Sequence, residues 1–384
     1  MANVFTVPPR IVTGAGALEK AAGLLASFGK KALLVTDGMM VKLGNAAKVT
    51  QALASAGVAC AVYDAINGEP DHRMIDAGVA LYQKEQCDFL VAIGGGSPID
   101  SMKAIAAVAA NGGGICEYVG KPLTNPLPRM CAIPTTAGTG SEATSVTIIT
   151  NLHTQVKMMI KDPALMAQLA VVDPQFTRTA PPSVTAATGV DALCHAIEAY
   201  TSRLAFPLSD MFALDAVKKI YANLDKAFTD GDNLAAREAM ATAALEAGIA
   251  FSNASVTIVH GMSRPIGALF HVPHGLSNAM LLAKCLRFAL PGAVDRFCQL
   301  AQAIGVYRPG MSNQQGAQAF VDAVEKLLRV LQIPTPAQYG ISRASFFAQL
   351  DKMAEDALAS GSPANTRRAP TKEELVEIYR SLWD

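Results

Sequence analysis

A chain of 384 residues, 51% apolar and 17% charged, is long enough for two hydrophobic cores and too apolar to be disordered. Its 32 basic and 32 acidic side chains cancel, which removes any electrostatic case for nucleic acid or an anionic membrane as partner. Two cores meeting at a cleft, a favoured place for a small-molecule site, is the expectation these numbers set.

Met1 to Arg10 has no basic start followed by an unbroken apolar run, so it does not read as a signal peptide, and no stretch reads as a membrane span. From about residue 10 to 175, β-rich apolar runs alternate with helix-like stretches, the pattern of an α/β domain around a largely parallel sheet. Strands are expected at 32–36, 58–62, 89–93 and 130–133, with helices at 18–28, 46–56, 75–85 and 98–109 between them. The alanine-rich run 104–110 ends at Asn111 and three glycines, which makes it a buried helix. Beyond Pro181-Pro182, long segments rich in alanine, leucine and methionine at helical spacing predict an all-helical second domain. The boundary falls near residue 178, giving domains 1–178 and 179–384, and residues 360–371 read as an exposed loop before a terminal helix. The seven cysteines are scattered and form no C-x-x-C pair, as expected of reduced thiols in a cytoplasmic protein.

Gly94-Gly95-Gly96-Ser97-Pro98-Ile99-Asp100 follows one expected strand and opens a helix. Glycines let the backbone approach a bulky anion, and the first turn of a helix offers unpaired N–H groups to a pyrophosphate. An ordinary strand-to-helix turn is the plainer reading, and the run lacks the G-x-G-x-x-G spacing of a standard Rossmann site. Asp37 ends the first strong strand, where a carboxylate meets an adenosine ribose and disfavours a 2′-phosphate, so NAD is expected over NADP; a simple turn residue before Gly38 is the equal alternative. The loop Pro134 to Glu142, dense in small hydroxyl residues at another strand end, reads as a second cofactor-lining segment, with a polar surface loop as the plain alternative.

Asp191 and His195 are four apart in a stretch of helical character, so they share a face. That is ligand spacing, and it is also the spacing of an ordinary ion pair. The chain has six histidines, and His260, His271 and His274 fall close together. Three imidazoles and a carboxylate make a site suited to one divalent metal, Fe²⁺ or Zn²⁺, with room for a substrate oxygen. His271 reads equally as a substrate-facing group or a structural histidine. Glu198 near the same helix face could accept from a ligand, with a solvated or structural role as the favoured reading, and Cys194 reads as packing.

With these residues in place, Gly189 to Tyr200 and His260 to Gly275 strongly resemble the iron-containing, or group III, alcohol dehydrogenases, and the likeness extends over nearly the whole chain. The resemblance implies a Rossmann-like N-terminal dinucleotide-binding domain and an all-α C-terminal domain, the architecture of dehydroquinate synthase, with the metal in the cleft. It implies metal ligands at Asp191, His195, His260 and His274. It implies cofactor contacts at Asp37, Asn67, Gly94, Gly95, Gly96, Ser97, Asp100, Thr135, Thr136, Thr139, Thr144, Val146 and Lys157. It further implies a homodimer or larger homo-oligomer acting on a small alcohol or aldehyde, with hydride passing to and from NAD. Many family members carry a further histidine four residues after the third ligand; here that position is Arg264, a poor proton shuttle. Arg264 is therefore expected to orient cofactor phosphate or ribose, or to select an anionic or polar substrate, and His271 becomes the substitute relay. A hydroxyacid–oxoacid transhydrogenase or maleylacetate-type reductase on the same scaffold is the second reading, and a dehydroquinate synthase-like cyclase or lyase the third. A non-catalytic binding protein would leave a complete metal and cofactor set without purpose.

Overall fold

The computed structural model describes residues 2–154 and 156–383. The chain divides into two compact units: Val7–Ala180, and Pro181 onward together with the short segment ahead of Val7.

The first unit is built on β1 (Arg10–Thr13), α1 (Ala17–Leu25), β2 (Lys31–Val35), α2 (Gly38–Lys42), α3 (Asn45–Ser55), β3 (Ala59–Tyr63), α4 (His72–Lys84), β4 (Phe89–Gly94), α5 (Gly96–Asn111), β5 (Arg129–Pro134), β6 (Val146–Asn151), β7 (Val156–Lys161) and β8 (Leu169–Val172). Six strands form one parallel sheet in the order β1-β8-β5-β4-β2-β3, and β6 and β7 form an antiparallel hairpin. Successive side chains of a strand point to opposite faces, and the apolar runs exploit both. Leu33, Val35, Leu90 and Ala92 join one core with Ile75 of α4 and Ile105 of α5. Ala32, Leu34, Phe89, Val91 and Ile93 join another with Leu18 of α1 and Val49 of α3. A sheet buried on both faces explains why its central strands read as continuous apolar runs rather than alternating ones. The four expected strands are β2, β3, β4 and β5. The edge strand β1, the short β8 and the hairpin went unanticipated: β1 has four residues, three of them exposed, and offers little apolar signal.

The second unit is helical: α6 (Pro182–Thr201), α7 (Pro207–Thr229), α8 (Leu234–Ala254), α9 (Ile258–Phe270), α10 (His274–Ala289), α11 (Val294–Ala303), α12 (Asn313–Val330) and shorter helices up to Arg380. Every residue of α6 from Gly189 to Thr201 is buried, so this helix is surrounded on all sides rather than amphipathic. The start of α10 lies against it at Gly275, where a Cβ would fall 2.6 Å from the Ala187 carbonyl oxygen. Only glycine permits that approach. Among the described residues no single helix is long and apolar enough to cross a membrane.

Residues 360–371 are not the exposed loop their polarity suggests. Ser362, Pro363 and Thr366 are buried, and Pro363 fills the space a Cβ on Gly261 of α9 would need. The Asn365 amide donates to Ser255 Oγ at 3.0 Å and to the Val256 carbonyl at 3.2 Å. The polar groups of this segment are spent on tertiary hydrogen bonds, a use that composition alone does not separate from hydration.

Candidate active site

Asp191 and His195 stand one turn apart on α6, His260 lies in the first turn of α9, and His274 opens α10. One candidate ligand atom from each of the four lies within 4.8 Å of the others. Asp191 Oδ1 is 3.5 Å from His260 Nε2 and 3.7 Å from His274 Nε2. The His195 ring stacks on His260 at 4.4 Å between centroids and, on its other side, on Phe251 of α8 at 4.1 Å. Three of the four side chains are buried, whereas His274 keeps 43% of its side-chain surface exposed and is the member that meets solvent.

Two further residues complete the group. Glu198, one turn beyond Cys194 on α6, is fully enclosed, which corrects the solvated role its sequence position suggested. It accepts from Thr257 Oγ1 at 2.7 Å, the Val259 amide at 2.6 Å and His260 Nδ1 at 2.5 Å. Glu198 holds a proton on His260 Nδ1, so that a cation displacing the proton from Nε2 would meet a lone pair aimed at Asp191 and the cluster. Asn278 escaped the sequence reading altogether, although it lies four residues after His274 on α10 and so shares its face. Its Nδ2 lies 2.6 Å from Asp191 Oδ1, 3.1 Å from His260 Nε2 and 3.2 Å from His274 Nε2.

The donor set suits a cation. Asp191 Oδ1 and the Nε2 atoms of His260 and His274 all crowd one NH₂ group that carries two hydrogens, and His195 Nδ1 is buried with no hydrogen-bond partner among the described residues. Burial opposes charge on Asp191, but the surrounding imidazoles outweigh it and hold the carboxyl well below the usual range. Burial pushes His195 down to about 3, leaving it a neutral lone-pair donor. Burial also disfavours a charge on His260, but Glu198 and Asp191 overcome it and raise the imidazole to about 9. The negative potential that retains a proton there is the potential that favours a divalent ion.

In the α/β unit the glycine loop and the second loop adjoin, because β4 and β5 are paired neighbours with Gly94 opposite Pro134. The Thr135 amide donates to the Gly94 carbonyl at 2.9 Å. Gly94 has φ +154°, and a Cβ there would strike Pro98. Added Cβ atoms on Gly95 and Gly96 would meet Thr136 and Thr139. The buried Thr136 Oγ1 has no partner among the described residues, and no side chain caps the amides opening the sixteen-residue α5. Glycines without Cβ atoms, an uncapped helix start and an unspent hydroxyl together fit a pyrophosphate. Asp37 caps α2 by accepting from the Met40 amide at 2.9 Å, so at least one of its oxygens has a local role. Asn67 is exposed in the segment after β3, and Lys157 of β7 is paired with Glu69 at 2.6 Å. Asp100 of α5 accepts from the Ile148 amide at 3.0 Å, and burial raises its carboxyl to about 6.

Beneath these loops lies Lys103, a residue with no sequence signal beyond an unexpected charge in an apolar helix. Its fully buried ammonium donates to the carbonyls of Ser141, Thr144 and Val146 and to Thr144 Oγ1, all within 2.7–2.9 Å. It thereby fixes the segment that carries Thr144 and Val146. Nearby Glu142 is 1% exposed, and burial raises its carboxyl to about 7. A carboxyl whose folded pKa is raised binds its proton more tightly in the native state, so its stabilising effect is complete below about 4.5 and is lost as pH rises through about 7. Glu142→Gln is therefore expected to flatten the decline in denaturation midpoint between pH 5 and 8 and to stabilise the protein at pH 8, by up to roughly 3 kcal/mol. Parallel midpoint–pH curves for the two proteins would count against this assignment.

The two residues expected to serve catalysis are placed differently. Arg264 is half-buried on α9, one turn after His260, where Nη1 donates to Ser362 Oγ at 3.2 Å. His271 is exposed at the end of α9 with left-handed backbone, φ +53°, outside the four-residue group.

Sequence models of the iron-containing alcohol dehydrogenase family match residues 8–174, and of its C-terminal region residues 185–383. The chain belongs to the iron-containing alcohol dehydrogenase family. Like the family, it is an oxidoreductase that works with a metal and a nicotinamide dinucleotide. It is 38% identical to the 1,3-propanediol dehydrogenase of Klebsiella pneumoniae over 92% of each chain. It is 36% identical to the NAD-dependent methanol dehydrogenase of Bacillus methanolicus over 99% of this chain and all of the other. A crystal structure of 1,3-propanediol oxidoreductase superposes with a TM-score of 0.96 at 36% identity, covering both chains completely.

Proposed function

We propose that this protein interconverts short primary alcohols or diols and their aldehydes, with Asp191, His195, His260 and His274 holding one divalent ion and the glycine loop holding NAD. The observation that carries the reading is the convergence of those four ligand atoms within 4.8 Å. Relatives named for a diol and for methanol support a small substrate. The family's description favours iron(II), although three imidazoles and a carboxylate suit zinc as well. Asp37 at the end of β2 supports NAD over NADP, and the seven free thiols support a reducing compartment. The resemblance supports a homo-oligomer.

When bound, the ion supplies Lewis acidity, which lowers the pKa of an alcohol and polarises a carbonyl. The protein's part is positional. Glu198 fixes the tautomer and ring plane of His260, burial keeps His195 neutral, and Asn278 donates to Asp191 and sets its carboxylate plane. Phe251 covers the outer face of His195 and excludes water from it. In the α/β unit, Lys103 holds the Ser141–Val146 segment beside the glycine loop, where Thr136 and Thr139 present hydroxyls.

Protein stripped of metal and restored with Fe²⁺ or Zn²⁺ is expected to form NADH from short alcohols and diols and to consume it with the matching aldehydes. The absence of metal-restored turnover across such a panel would overturn the reading.

A further inference from the structure

Arg264 is unusual among the inward-turned arginines of the helical unit. Arg296 is matched by Asp210 and the Tyr200 carbonyl, Arg203 by the Thr366 carbonyl at 2.9 Å, and Arg237 by the Gly231 carbonyl at 2.9 Å and Thr185 Oγ1 at 2.8 Å. The guanidinium of Arg264 has five N–H donors. The structure assigns it one hydroxyl, Ser362 Oγ, and among the described residues no carboxylate forms an ion pair with it. Glu198, the carboxylate whose charge reaches it, is committed to Thr257, Val259 and His260. The side chain is not fully enclosed, and Ser362 Oγ takes up only one of its donors.

Its position ties those donors to the metal group. Residues four apart on a helix share a face with Cα atoms about 6 Å apart, so Arg264 stands on the His260 side of α9. The turn at Ser362 and Pro363 backs the helix beside Gly261 and anchors the guanidinium. Asp191 and Glu198 balance the charge of a divalent ion, and Arg264 then leaves one positive charge in excess in a poorly solvated region.

We infer that Arg264 is a specificity-determining residue that receives an oxyanion on the far end of the substrate. The preferred substrates are then short hydroxy acids and the corresponding aldehyde acids, or their sulfonate or phosphate counterparts. This rests on the proposed function and narrows it. One helical turn spans a chain of about two to four carbons between the reacting oxygen and the anion. A guanidinium pairs with carboxylate, sulfonate or phosphate through charge-assisted bonds that an uncharged amide does not replace.

The test compares β-hydroxypropionate, the corresponding hydroxyalkyl sulfonate and the uncharged hydroxy amide in metal-restored enzyme, for the natural protein, Arg264→Met and Arg264→Lys. The natural protein is expected to favour the anions over the amide by on the order of 100-fold in kcat/KM. Arg264→Met should collapse that ratio towards unity, chiefly through KM, and Arg264→Lys should retain part of it. Independently of turnover, propionate should raise the melting temperature of the metal-loaded natural protein and fail to do so with Arg264→Met. Preference for the amide, an unchanged ratio in Arg264→Met, or a rise in KM for NAD that is equal with every substrate overturns the inference. If no substrate is turned over, the functional reading fails, and propionate binding still decides the role of Arg264: binding that survives Arg264→Met refutes it, and binding that depends on Arg264 upholds it.

Discussion

Replacing Asp191 by alanine is expected to lower kcat/KM at least a thousandfold and to leave the purified protein without its divalent ion. Asp191 is the one anionic member of the four, and it is buried with three imidazoles drawn to it. Neutral imidazoles bind a divalent ion without cancelling its charge, so alanine leaves a desolvated dication with no anionic ligand. The same change frees the Asn278 amide from its shortest partner, at 2.6 Å. Metal analysis after exhaustive exchange against a weak chelator, run beside the NADH assay, separates loss of the ion from loss of chemistry. Stoichiometric metal in the alanine variant would remove Asp191 from the ligand set.

The second large effect concerns stability. Lys103→Met is expected to destabilise the protein by about 3–5 kcal/mol and to weaken NAD binding together with it. Burying an ammonium is costly in itself: burial lowers its pKa to about 8. A methionine of similar length would relieve that cost and could be neutral if the acceptors found other donors. Lys103 is fully buried and serves three carbonyls and a hydroxyl at once; among the described residues no other side chain donates to the Thr144 or Val146 carbonyl, and the Ser141 carbonyl keeps only the longer bonds from Thr144 Oγ1 at 3.3 Å and the Thr144 amide at 3.4 Å. Unsatisfied buried carbonyls cost about 1–3 kcal/mol each, so their loss outweighs the relief. Denaturant titration and NAD affinity measured on the same preparation check both parts. A destabilisation below about 1 kcal/mol would show that water or a local shift replaces the ammonium.

What was legible in the sequence follows from which signals are local. The central strands and the helices between them are long apolar runs with a definite period, and they stand within a few residues of their expected bounds. The four residues grouped as a metal site are of strongly ligating types, and their clustering in the fold needed only the likeness of two segments to a family. Asn278 has the same helical spacing to His274 as His195 has to Asp191, and the signal was present but carried by an amide, which rarely draws attention as a partner of a metal site. Glu198 was seen and undervalued, because an acidic residue on a helix is ordinarily solvated, and its burial depends on the Thr257–Val259 turn that folds over it. Lys103 was invisible for a different reason. Its four acceptors come from a segment about forty residues away, and no periodicity records a loop folding back onto a helix. The turn at Ser362, which anchors Arg264 from 98 residues away, was hidden in the same manner.

Among the described residues the edge strand β1 pairs only with β8, Val12 lying opposite Val171. Ahead of it, Thr6 exchanges two hydrogen bonds with Asn253 of α8. Both partners are synthesised long after the segment that needs them. At about 5–20 residues per second, β1 waits roughly 8–30 s for β8 to be made, and Thr6 waits longer for Asn253. Segments made early thus wait for partners made much later, and until β8 emerges β1 has no strand edge to join.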